Sequence, residues 1–264
     1  MESFTNRYTQ DHMDVVNSPD QCDKMGTGPS YAIRPGCKDI WNAFMVDGAA
    51  FCRHDIPFCP TTAVQIPKRQ ITWPEAKAIH KKHISRKEYA YHEDAFVNWY
   101  IDDCKFDGPR GIWHDCHFVL KVLCHFDGAI TPDFSTYQDF PEPINTYATY
   151  RMRAYGYWLG REGIAVINNV RWGTEETFDY CFEGIPENSI VSIGTVGGGP
   201  RRLRDRGRFE TGLFKMVEFL KPHTILVYGS SNGACFDTLR AQGLHIVSYP
   251  SRTAQVFEGR ERHE

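Results

Sequence analysis

From residue 96 onward the apolar positions gather into short runs separated by polar, turn-forming stretches. The runs lie at Phe96 to Ile101, Gly128 to Thr131, Ile164 to Val170, Ile190 to Thr195, Thr224 to Tyr228 and Leu244 to Ser248. Each reads as a strand. Most gaps between them carry helical spacing. Pro143 to Arg161 is one such segment, rich in aromatics (Tyr147, Tyr150, Tyr155, Tyr157, Trp158); Phe209 to Leu220, stopped by Pro222, and Asn232 to Ala241, stopped by Gly243, are others. Thr174 with Glu175 and Glu176 reads as a helix start with acids at the positive end of the dipole, and Gly184 with Pro186 reads as its stop. Alternating strands and helices on short connections imply a mostly parallel sheet built by right-handed crossovers.

The first 70 residues differ, with prolines and glycines at irregular intervals and no sustained period. Thr72-Trp73-Pro74-Glu75 then predicts a capping-box start for a short basic helix ending near His83. Its Lys77, Lys81, Lys82, Arg86 and Lys87 read as a solvated face or, alternatively, as a nucleic-acid surface. The fold class is therefore α/β, with residues 1–90 as a loop-rich N-terminal extension and 91–264 as a βα-repeat domain. The repeat is either TIM-barrel-like, the irregular N-terminal part supplying the strands that six leave missing, or an open, mostly parallel sheet.

A chain of 264 residues buries enough surface to fold without disulfides or metal. Its 30 basic and 33 acidic residues exclude a uniformly basic coat while leaving room for a local phosphate site. The polar N-terminus and the absence of an apolar run near ~20 residues predict a cytoplasmic protein with no membrane partner. Nine cysteines, an odd number, point to reduced thiols.

Parallel βα architectures place ligands at the carboxyl ends of their strands. Those ends read Asp102-Asp103, Pro132-Asp133-Phe134, Asn168-Asn169 with Arg171, Gly194-Thr195 leading into Gly197-Gly198-Gly199, and Tyr228-Gly229-Ser230. Asp102, Asp103 and Asp133 are the candidate catalytic acids. Alternation along the strand lets at most one of Asp102 and Asp103 point into a site. Asp102 and Asp133, from neighbouring strands, are candidate ligands for Mg²⁺ or Mn²⁺. Asn169, Arg171, Tyr228 and Ser230 would complete the rim. The same aspartates would also serve as turn and capping residues.

After the fourth run, five arginines fall within Arg201 to Arg208. Backbone amides at Gly197 and Gly198, with Arg201, Arg202, Arg204 and Arg206, form a candidate phosphate clamp; the alternative is a solvated loop. Neither a Walker nor a dinucleotide fingerprint is present. Cys37, Cys52, His54 and Cys59 lack a Cys-x-x-Cys knuckle, so buried thiols and a surface histidine are expected in place of a zinc site. In His114-Asp115-Cys116-His117, Asp115 is expected to cap a helix. Arg151 and Arg153 lie on a helix expected to pack against the sheet more readily than to stack bases.

Ile101-Asp102-Asp103, Thr131-Pro132-Asp133-Phe134, Asn145-Thr146-Tyr147 with Arg151 and Arg153, Val166 to Trp172, Phe182-Glu183-Gly184, Thr195-Val196-Gly197, and Lys221-Pro222 followed by Val227-Tyr228-Gly229 occur in one order. In them the chain resembles the DUF4417 family, a domain of unknown function of bacteria and their phages. One departure is Asn168-Asn169, where the family pattern is expected to carry a proline. The resemblance implies a fold neighbourhood and no activity. Two functions are expected from the residues: a metal-assisted enzyme acting on nucleic acid or nucleotide phosphates, or a non-catalytic nucleic-acid- or protein-binding accessory factor of a mobile element.

Overall fold

The structure, a computed structural model, describes residues 39–196 and 203–255, without the side chains of residues 203 and 204. Seven strands, β1 Gln70–Thr72, β2 Glu93–Asn98, β3 Phe126–Ile130, β4 Val166–Asn169, β5 Ile190–Gly194, β6 Thr224–Tyr228 and β7 His245–Tyr249, lie in sequence order. Every neighbouring pair is parallel. The sheet curls into a half-barrel. The crossings use α1 Trp73–Ser85, α2 Cys116–Leu123, α3 Glu142–Arg161, α4 Leu203–Leu220 and α5 Ala234–Ala241.

All six predicted strands are present. The seventh, β1, is three residues long and falls in the stretch read as an extension; a run that short has no period to detect. It pairs with β2, and α1 follows it at once, so the repeat begins before residue 90. The capping box at its start forms: the Glu75 carboxylate accepts from the Thr72 N–H at 2.8 Å and from its hydroxyl at 2.6 Å.

Between β4 and β5 the predicted helix is only a 3-10 turn, Glu175–Asp179. Thr177 closes that turn with its own side chain, donating to the Thr174 carbonyl and accepting from the Gly173 N–H. The chain then drives Tyr180, Cys181, Phe182 and Ile185 into the core, where a continued helix would have kept part of them in solvent. Gly184 ends the segment at φ +73°, where a Cβ would lie 2.4 Å from the Pro57 carbonyl oxygen.

Both sheet faces are buried. Val97, Ala129 and Val166, and beyond them Val191, Ile225 and Val227, face the helices in two large clusters. Phe96, Ile130, Ile167, Leu226, Tyr228 and Tyr249 face the concave side. Leu226 and Ile167 are wholly enclosed, each contributing about 1.5–3 kcal/mol of burial. β1 and β7 do not pair with each other; side chains span the gap, with the Tyr249 hydroxyl donating to the Pro67 carbonyl at 2.6 Å and Arg252 Nε 3.9 Å from Glu75. Among the described residues no helix is long and apolar enough to cross a membrane, and no two cysteines form a disulfide.

Candidate active site

The register lines up a polar layer at the carboxyl end of the concave face. Thr72 pairs with Asn98, Asn169 with Ser192, and Gly194 with Tyr228. Tyr100, two residues past the end of β2, lies over Gly194 and stacks on Tyr228 with centroids 5.3 Å apart. Its hydroxyl sits 2.8 Å from Ser192 Oγ and 3.0 Å from Asn169 Oδ1. Asn169 passes the chain on, its Nδ2 donating to Asp133 Oδ1 at 2.9 Å while Arg171 Nη1 donates to Asp133 Oδ2 at 2.9 Å. The Asn169 N–H donates to Thr131 Oγ1, and its carbonyl accepts from Arg153. Where a proline was expected, Asn168 and Asn169 thus continue the ladder of β4.

Asp103 lies in a 3-10 turn beyond β2, where its carboxylate accepts from the Ser135 hydroxyl at 2.8 Å and the Ser135 N–H at 3.1 Å. Burial pushes its pKa above the ordinary 3.8, and the nearby Asp133 charge adds to that push, against the lowering by Ser135 and Arg171. Burial, with Asp133 again, holds the Tyr100 hydroxyl well above its ordinary value. The Asp133 carboxylate raises the pKa of Arg171. Two carboxyl groups and one guanidinium therefore share this mouth.

Asp102 does not join them. It faces solvent and pairs with Lys105 at 2.7 Å, whose ammonium lowers its pKa. Both acids lie past the end of β2, Asp102 before and Asp103 within the 3-10 turn Asp103–Lys105, so strand alternation does not govern where they point. Tyr228 stacks in the mouth and accepts from the Arg252 N–H, whereas the Ser230 hydroxyl is turned back to the Asn232 N–H. Gly197, Gly198, Arg201 and Arg202 lie outside the described residues, as does the side chain of Arg204. Arg206 stands in the first turn of α4, and Arg208 reaches Gln138.

The remaining sequence candidates lie away from the mouth or outside the described residues. Cys37 lies outside the described residues; Cys52 and Cys59 are buried, and burial pushes the Cys59 thiol up to about 12. His54 pairs with Glu183 at 2.9 Å. Asp115 occupies the cap position of α2 without a side-chain cap bond, so the expected cap does not form. Arg151 lies over the Phe134 ring at 3.9 Å and pairs with Asp107.

The sequence missed Tyr100, Ser192 and Asn98, because hydroxyls and amides inside a strand-like run read as core. Their signal was the alternation Phe96, Asn98, Tyr100. Gln70 was missed with β1. It accepts from Asn98 Nδ2 at 3.0 Å, and its own buried Nε2 has no protein acceptor among the described residues. A donor so placed fits a water or ligand in the concave face.

The Tyr100 ring depends on the bare backbone of Gly194, where a Cβ would come within 2.6 Å of it. Gly194→Ala is expected to displace the ring from Ser192 and Asn169 and to cost roughly 1–3 kcal/mol. Urea unfolding checks this, and an unchanged midpoint would refute the stacking argument.

A curled parallel sheet with a hydrogen-bonded polar mouth at its strand ends defines an α/β half-barrel protein. The chain belongs to the DUF4417 family, described as a domain of unknown function, whose profile matches residues 58–250. It is similar to the Gene 1 protein of Mycobacterium phage D29, 28% identical over 200 residues that make up 75% of this chain and 68% of the phage protein. It is also similar to the Gene 1 protein of Mycobacterium phage L5, 32% identical over 143 residues, 54% of this chain and 61% of the relative. No solved structure matches. The chain thus belongs to a phage-associated family.

Proposed function

We propose that the protein is an enzyme acting on a phosphate-bearing substrate, a nucleotide or nucleic acid, at the half-barrel mouth. Asp103 transfers the proton, and Arg171, oriented by Asp133, binds the anion. The observation that carries this reading is the placement of two carboxyl groups in unlike environments beside one arginine. Asp103 is shifted upward by burial and stands beside the Asp133–Arg171 ion pair; a perturbed carboxyl next to a fixed cation is a candidate acid–base site. Arg171 uses one nitrogen on Asp133, and its side chain is a quarter exposed at the mouth; on this reading its remaining nitrogens bind the phosphate.

The described residues favour proton transfer over a protein-held Mg²⁺ or Mn²⁺ between Asp102 and Asp133. Asp102 faces solvent apart from the mouth, and both oxygens of Asp133 are engaged by Asn169 and Arg171. The test is equilibrium binding and turnover of nucleoside phosphates, DNA and RNA. Arg171→Ala is expected to weaken binding about tenfold or more and to flatten its salt dependence. Equal binding by the variant, or no binding by the unmodified chain, overturns the proposal. Binding without turnover would favour the accessory-factor reading.

A further inference from the structure

At the amino end of the sheet, away from the mouth, His92, Asp94 and Asp127 converge. His92 directly precedes β2, Asp94 lies in its first residues, and Asp127 is the second residue of β3. The two strands are out of step here: Glu93 pairs with Phe126 but Phe96 with Gly128, so Asp94 and Ala95 together face the single residue Asp127. Bulges are uncommon in parallel pairs and re-aim side chains. This one lets Ala95 stay fully buried while Asp94 remains at the surface, between His92 and Lys68.

His92 Nε2 is 2.9 Å from Asp127 Oδ1 and 4.0 Å from Asp94 Oδ1, and one ligand atom from each residue lies within 4.8 Å of the others. Metal–ligand bonds of ~2.0–2.2 Å hold neighbouring ligand atoms roughly 3–4 Å apart, so small rotations close the set. The second Asp94 oxygen takes Lys68 Nζ at 2.8 Å, which orients the carboxylate from outside as an outer-shell partner does.

We propose that His92, Asp94 and Asp127 form a surface site for a divalent first-row transition ion, completed by water, that ties β2 to β3. One imidazole with two carboxylates suits Mn²⁺, Co²⁺ or Zn²⁺ better than Ca²⁺, which takes oxygen ligands throughout, or a thiolate-loving ion. The site is independent of the mouth, and its failure would leave the proton-transfer reading untouched.

The test uses the full chain without an affinity tag, stripped with a chelator and titrated with Co²⁺ by absorbance and with Mn²⁺ and Zn²⁺ by calorimetry. One ion per chain is expected. Affinity should fall about tenfold or more in His92→Ala and in Asp127→Asn, and stay unchanged in Asp237→Asn, an exposed acid on α5. Thermal unfolding should shift upward with the ion in the unmodified chain and not in His92→Ala. No binding, undiminished binding by His92→Ala, or a cobalt spectrum dominated by thiolate bands would overturn the proposal.

Discussion

Replacing Arg153 by methionine is expected to cost about 3 kcal/mol or more of folding stability. Arg153 is wholly enclosed on α3. Its three nitrogens donate to three backbone carbonyls: Nε to Glu183 at 3.0 Å, Nη1 to Asn169 at 2.9 Å and Nη2 to Cys181 at 3.1 Å. Burial pushes its pKa down to about 10, so it stays a cation at neutral pH. Methionine fills much of the volume but donates nothing. The carbonyls belong to the backbone and cannot be removed with it, and each orphaned acceptor costs roughly 1–3 kcal/mol; relief of the guanidinium's own desolvation offsets part of that sum. For a chain of this size the loss corresponds to a fall in Tm of roughly 6–12 °C. Arg153→Lys keeps the charge yet cannot span three acceptors, so it should lose most of the same stability. Urea and thermal unfolding decide the matter. A methionine variant within about 1 kcal/mol of the unmodified chain would show that the three bonds contribute little beyond their desolvation.

Arg153 also shows where the sequence stops being legible. The helix pattern places Arg153 on an element expected to pack against the sheet but does not reveal its burial or its partners, because its acceptors come from a strand end and a turn that the pattern does not contain. Six of the seven strands were legible, because burial on both faces makes the inner ones near-continuous apolar runs, whereas β1, three residues long, was not. Asp133, Asn169 and Arg171 were legible as a group, because parallel βα folds collect their polar strand ends at one rim. Tyr100 and Ser192 were not. Each is a polar residue whose partner sits on another strand, and only the register Asn169 to Ser192 brings those partners together. The bulge that gathers His92, Asp94 and Asp127 is invisible for the same reason, being a property of two strands and not of either alone.

Asp103→Asn should reduce turnover of the substrate roughly 10²–10⁴-fold, the usual contribution of a positioned general acid or base, with binding through Arg171 retained. Asparagine can accept from the Ser135 N–H through Oδ1 and donate from Nδ2 to the Ser135 hydroxyl oxygen, but it loses the titrating proton, so the fold is preserved while the chemistry is not. A pH signature separates this from a structural defect. The folded pKa of Asp103 lies above its unfolded value, so the native state holds this proton more tightly than the unfolded chain. Its contribution is fully present below about pH 4, the unfolded value, and is lost as pH rises through the folded pKa. Above that window the buried carboxylate is a net cost that asparagine does not carry. The variant should therefore gain stability relative to the unmodified chain between acid and neutral pH, while losing activity throughout. Paired urea titrations across that range, with turnover measured on the same samples, test both halves. Full activity in Asp103→Asn would remove Asp103 from the chemistry, and a stability difference that does not change with pH would remove the upward shift on which its role rests.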